Sequence, residues 1–128
     1  EWLEMMSTNL TSLRDLSVNK ILGCEIEHVV EQLLRNNIYI RTLEIGGGFE
    51  LRHLPMDCLQ SSTSLQRLVI QGCPALHSLP DLQSCTSLQD LGVYHCPALH
   101  SVPDLQSCTS LQDLGVYHCP ALHSVPDL

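Results

Sequence analysis

At 128 residues the chain has room for one domain, and its core must be aliphatic, because only five residues are aromatic in a composition that is 44% hydrophobic. The net charge is −8, and residues 68–128 hold five aspartates and no Lys or Arg, so the basic surface that nucleic acid or an anionic membrane requires is missing. No apolar run approaches the ~20 residues of a membrane span, and no basic segment precedes an apolar one as in a signal peptide. The chain opens on Glu1 and stops at Leu128, in mid-pattern, and is expected to be a piece of a longer protein.

In chain order, Trp2, Leu3, Met6 and Leu10 fall at near-helical spacing and suit the back of a preceding unit. Leu13, Leu16 and Val18 begin a faint first repeat. Residues 25–35 then predict a helix, with Ile26, Val29, Val30, Leu33 and Leu34 on one stripe and Asn36 and Asn37 as a stop. A clearer unit follows at Ile40, Leu43, Ile45, Gly48, Leu51, Leu54 and Pro55.

The last three units settle the architecture. Residues 81–103 recur without change at 104–126, and residues 58–80 match the next copy at 15 of 23 positions. Each carries the frame LxxLxIxxCxxLxxLP, as in Leu65, Leu68, Ile70, Cys73, Leu76, Leu79 and Pro80. The LxI core alternates apolar with polar, which is strand periodicity. The Cys must be small and turn the chain inward, and the closing Pro, lacking a ladder donor, prevents an early strand. One unit cannot bury its leucines alone, whereas stacked units make a continuous core beneath a parallel sheet with strands ~4.8 Å apart. The expected fold is an α/β solenoid: a repeat arc with a short-stranded parallel sheet on its concave face and a mostly irregular or short helical convex side. The units are 1–39, irregular and containing the helix, then 40–57, 58–80, 81–103 and 104–126, in one domain of 1–128.

The LxxLxIxxCPxLxxLP frame resembles the irregular leucine-rich repeats of plant intracellular nucleotide-binding leucine-rich-repeat immune receptors, the disease-resistance proteins. Three copies, 58–126, match closely; the copy at 40–55 has Gly48 in place of Cys. The LxGxIP element of extracellular plant receptor kinases is absent. The resemblance implies a cytoplasmic module for innate immunity that recognises a pathogen effector or a guarded host protein, and that restrains the receptor's own nucleotide-binding domain until then. No GxxxxGK[ST] loop occurs in these residues, so no nucleotide is expected here. A leucine-rich substrate arm of a ubiquitin-ligase adaptor is the alternative within the same repeat class.

Seven Cys and seven His suggest a metal, with HCx3H spacing at His95-Cys96-His100 and His118-Cys119-His123. These residues recur along a line, one set per repeat, instead of converging on a point, and no metal or cofactor is expected. Cys73, Cys96 and Cys119 hold the inward turn position; Cys85 and Cys108 replace Ser62 at a back-face packing site. An odd cysteine count in an intracellular setting predicts free thiols. No unique Ser-His-Asp or Cys-His-Asn set stands outside the repeat, so an enzyme is not expected.

Copies 58–80 and 81–103 differ at eight positions, five of them within 67–72 against 90–95. Arg67, Val69 and Gln71 become Asp90, Gly92 and Tyr94, so the frame is kept while the outward positions change. A protein-binding concave face is therefore expected at Thr42, Glu44, Arg67, Val69, Gln71, Asp90, Gly92, Tyr94, Asp113, Gly115 and Tyr117, continued by Asp15, Ser17, Asn19 and Gly46. Tyr94 and Tyr117 are the expected anchors. The contrary expectation is a structural spacer that lengthens the arc without contacts, as a recent tandem duplication would.

Overall fold

The computed structural model describes residues 14–19, 32–47, 59–60 and 62–122. Residues 1–13, with the spacing at Trp2 and Leu10, lie outside them, as do residues 25–31 of the expected helix and the whole span 48–58, with Gly48, Leu51, Leu54 and Pro55 of the second unit.

Five strands of five residues each carry the fold: β1 (Asp15–Asn19), β2 (Thr42–Gly46), β3 (Arg67–Gln71), β4 (Asp90–Tyr94) and β5 (Asp113–Tyr117). They form one parallel sheet in sequence order, so each strand pairs only with the one before and the one after it. This is a solenoid. The register advances 27 residues from Asp15 to Thr42, 25 to Arg67, and then 23 to Asp90 and 23 to Asp113. The repeat length read from the sequence is thus the length of one coil, and like residues of the two identical copies stand directly opposite each other.

Entry to β2, β3, β4 and β5 uses the same backbone device. The Gln66 carbonyl accepts from both Gln89 N–H, at 2.8 Å, and Asp90 N–H, at 3.0 Å, and Gln89 does the same for Gln112 and Asp113. Beyond the strand the coil closes through successive tight turns: Leu99 N–H donates to Cys96 carbonyl, Cys108 N–H to Leu105 carbonyl and Leu111 N–H to Cys108 carbonyl, each at 3.0–3.2 Å. Asp104 Oδ1 accepts from Gln106 N–H at 2.9 Å and pins the corner after the proline, as Asp81 does for Gln83. Among the described residues from 62 onward the back of the solenoid is therefore built of turns. Among the described residues helix is confined to 32–36, where Asn37 Nδ2 donates to the Leu33 carbonyl at 2.6 Å and caps the last turn. The expected α/β character reduces, among these residues, to that one segment.

Inside, the frame residues stack in columns: Leu68 on Leu91, Ile70 on Val93, Cys73 on Cys96, Leu76 on Leu99, and Cys85 on Cys108 behind Leu88. All are buried, and Leu16, Leu111, Leu114 and Cys119 pack half-buried against them. Truncating one column leucine to Ala costs ~2–5 kcal/mol, because the coils on either side cannot collapse into the gap without breaking register.

Candidate functional site

Period-2 alternation sends the second and fourth residues of each strand into the core and the first, third and fifth to the other side of the sheet. The outward register rows are Asp15, Thr42, Arg67, Asp90 and Asp113; Ser17, Glu44, Val69, Gly92 and Gly115; and Gly46, Gln71, Tyr94 and Tyr117, with Asn19 at the register position beside Gly46. The expected face residues from Thr42 to Tyr117 thus share one side of one sheet. Asp15, Ser17, Arg67, Gln71, Asp113 and Tyr117 are exposed, whereas Thr42, Glu44, Val69, Asp90, Tyr94 and Gly115 are partly covered and Gly46 and Gly92 are buried.

The tyrosines explain the burial of Gly92. A Cβ added at Gly92 would lie 2.7 Å from Tyr94 Oη and 2.8 Å from Tyr94 Cε2; one added at Gly115 would lie 3.0 Å from the same hydroxyl and 3.2 Å from Tyr117 Cε2. The Tyr94 ring therefore lies down along its own strand, over the glycine two residues back, and leans across to the next coil. Tyr117 stacks beside it with ring centroids 5.6 Å apart and planes within 5°, its side chain 60% exposed. Stacked, ordered rings present a large contact area that loses little rotamer freedom on binding. On β3 the corresponding residues are Val69 and Gln71, so the platform ends there and Val69 forms a step. The result is a depression of about 350 Å³ bounded by Arg67, Val69, Asp90, Asp113, Tyr94 and Tyr117.

Its acidic rim is under electrostatic load. In-register copies set Asp90 opposite Asp113, and a hydrogen bond to Asp113 is the main cause that holds the Asp90 carboxyl above its ordinary range. Partial desolvation and the Asp113 charge add to this, and the Arg67 guanidinium on the other flank opposes it more weakly. Two carboxylates this close favour a shared proton or a cation between them.

Sequence reasoning passes over the residues just beyond the strands. Gly47, Gly72, His95 and His118 occupy one column, and all four are left-handed, with φ of 62°, 65°, 54° and 58°. This conformation turns the N–H toward the next coil: Gly72 donates to Tyr94 carbonyl at 2.9 Å and His95 to Tyr117 carbonyl at 3.0 Å. A side chain here is strained, yet His95 and His118 stand exposed and stacked, 4.5 Å between centroids, at the edge of the tyrosine platform. The glycines of the earlier copies are the available signal.

The cysteines sit where packing places them. Cys73, Cys85, Cys96 and Cys108 are buried and Cys119 is partly covered, and none of the five is in a disulfide. The side-chain hydrogen bond that the protonated Cys96 thiol makes with Cys73, together with burial, pushes the Cys96 thiol up; burial and the neighbouring Cys108 push Cys85 up to about 12. Burial likewise raises Cys108 and Cys119, so none of these four is a thiolate at neutral pH. The HCx3H spacing does not converge: Cys96 Sγ points inward to the Tyr94 carbonyl at 3.4 Å while His95 and His100 are exposed. Among the described residues no group of three or more His, Cys, Asp or Glu is placed to hold a metal ion, and no helix is long and apolar enough to cross a membrane. No protein-family model, curated protein or solved structure matches the chain.

Proposed function

We propose that the chain is a protein-recognition module, a leucine-rich-repeat arc whose outward sheet face is the concave contact surface. The observation that carries this reading is the tyrosine platform: two stacked rings on a floor of glycines, one of them 60% exposed, in a chain whose other frame residues are spent on packing. Exposed aromatic anchors beside charged rims are the pattern of binding hot spots. Thiols that burial keeps protonated at Cys85, Cys96 and Cys108 leave the sheet face as the chemically distinctive surface.

The LxxLxIxxCPxLxxLP frame extends the reading to the repeat region of a cytoplasmic plant immune receptor of the nucleotide-binding class, with an effector, a guarded host protein or the receptor's own nucleotide-binding domain as partner. This extension rests on the resemblance of the frame alone. The module itself has no catalytic role and takes no cofactor.

Site-directed photocrosslinking tests the reading. A benzoylphenylalanine at position 117, on the platform, is expected to trap a defined protein in the cells that make the chain, and one at position 83, on the exposed turn side, is not. Tyr94→Ala/Tyr117→Ala should abolish the same complex. Equal trapping from both positions, or none from 117, removes the face as the recognition surface.

A further inference from the structure

We propose that this face seats an arginine side chain of a protein partner, its guanidinium lying between the paired carboxylates of Asp90 and Asp113 and the stacked rings of Tyr94 and Tyr117. The inference rests on the recognition reading and adds to it the chemistry of the partner.

Charge complementarity is the first argument. Residues 68–128 contain no Lys or Arg, so the coils of β4 and β5 supply no cation of their own. Among the described residues Arg67, at the step on β3, is the one cation lining the depression, and it offsets the load on Asp90 less than Asp113 creates it. An uncompensated negative pair on one rim is what a cationic side chain neutralises.

Shape is the second. Asp90 and Gly92 are two residues apart, about 6.6 Å along the strand, and the Tyr94 hydroxyl lies over Gly92. The gap between carboxylates and hydroxyl suits a flat group a few ångströms across. A depression of about 350 Å³ is at the small end of the ~300–1,000 Å³ range of ligand pockets, enough for a side chain and its stem.

The choice of arginine over lysine follows from the two surfaces it meets. The carboxylates stand on neighbouring strands ~4.8 Å apart, and a guanidinium presents two N–H edges that serve both at once, which a point-like ammonium cannot. The same planar group stacks on tyrosine, adding cation–π attraction. A divalent cation fits less well, since the described residues offer two carboxylates and no third ligand around them.

The experiment uses the whole 128-residue chain and fluorescein-labelled Gly/Ser heptapeptides carrying two arginines, two lysines or two glutamines, followed by anisotropy at about 50 mM salt, where surface charges still act over more than ~10 Å. The arginine peptide is expected to bind roughly threefold or more tightly than the lysine peptide, and the glutamine peptide not at all. Asp90→Asn/Asp113→Asn should weaken arginine-peptide binding roughly tenfold, with an unchanged strand circular-dichroism signal. Asp81→Asn/Asp104→Asn removes the same charge from the turn side while keeping the Oδ1 acceptor that pins each corner, and should leave binding within about twofold. Equal binding of the arginine and lysine peptides, or equal loss in the two double variants, overturns the inference in favour of a diffuse negative field. Full displacement by about 1 mM Mg²⁺ at constant ionic strength overturns it in favour of a metal. If position 117 still traps a protein while the arginine peptide fails, only the guanidinium assignment falls; if both fail, the recognition reading falls with it.

Discussion

Ser62 is 1% exposed and its Oγ has no hydrogen-bond partner, whereas the same place in the next two coils holds Cys85 and Cys108, both buried. A hydroxyl taken from water without a partner costs ~1–3 kcal/mol. Replacing Ser62 with Ala removes that cost and leaves a gap of one small atom; replacing it with Cys removes it and restores the packing of the other two copies. A net stabilisation of ~1–2 kcal/mol is expected, with Cys at least as good as Ala. Unfolding entropy near ~2.1 cal/mol/K per residue gives about 0.27 kcal/mol/K for this chain, so the Tm should rise by ~4–7 °C. Thermal melts followed by circular dichroism, with calorimetry to confirm, read this directly. If both variants melt within about 1 °C of the parent or below it, the hydroxyl has a partner in solution and the reasoning about this column is wrong.

Gly92→Val restores the residue of the preceding copy and should lift the Tyr94 ring off its floor, because only the mobile end of the ring blocks the new Cβ; stability should change by less than ~1 kcal/mol, and loss of the Tyr94–Tyr117 ring-current shifts by NMR checks it. Asp90 has a folded-state pKa above its unfolded value, so its contribution to stability is present in full below the ordinary ~3.9 and is lost as pH rises through the raised value. Urea melts across that window should show the parent losing stability with rising pH by a steeper course than Asp113→Asn, in which Asp90 no longer faces a carboxylate. At His95, with φ of 54°, Gly should be more stable than Ala by ~1 kcal/mol, the reverse of their order in ordinary backbone; equal stabilities would mean that the left-handed turn is not imposed by the coil. Deleting residues 81–103 joins Pro80 to Asp104, a junction chemically identical to the one it replaces, so the shortened chain should fold with one coil fewer and an m value lower by roughly a fifth.

The frame is legible in the sequence because each of its features reports on local physics. Leu68 and Ile70 two residues apart announce a strand with one buried side. An unchanged 23-residue copy stacks in register, and the repeat alone therefore places Asp113 on Asp90 and Tyr117 on Tyr94. The row membership of the site residues follows from the same alternation. What does not follow is the third dimension of the face. Whether Tyr94 stands up or lies over Gly92 depends on the neighbouring coil, and a pattern of period two is silent about it. The left-handed His95 is hidden for a related reason: its conformation is dictated by the direction of the N–H toward the Tyr117 carbonyl, a contact made between coils, and only Gly72 one copy earlier hints at it. The helix on residues 25–35 is a local inference of the first kind, and its described part, 32–35, is helical, with the segment running on through Asn36.

Duplication of a coil has an asymmetric physical consequence. It sets every outward residue against its own copy, so aromatic pairs gain a stacking partner while charged pairs acquire a like neighbour. Tyr94 on Tyr117 and Asp90 on Asp113 are the two sides of that consequence within one face. The scaffold requires neither: on β3 the same places hold Arg67 and Gln71, and Arg67 opposite Asp90 pairs opposite charges in the same register. A spacer carries the carboxylate pair as a standing liability at neutral pH, one that Arg67 offsets only in part and that salt or a proton relieves. A recognition face turns the same liability into affinity, because a partner's cation removes it on docking and the tyrosines are already ordered to receive the rest of the side chain. The two roles therefore differ in one measurable respect: for a recognition face the raised proton affinity of Asp90 falls back to the ordinary range when the partner binds, and binding weakens as pH drops into that range.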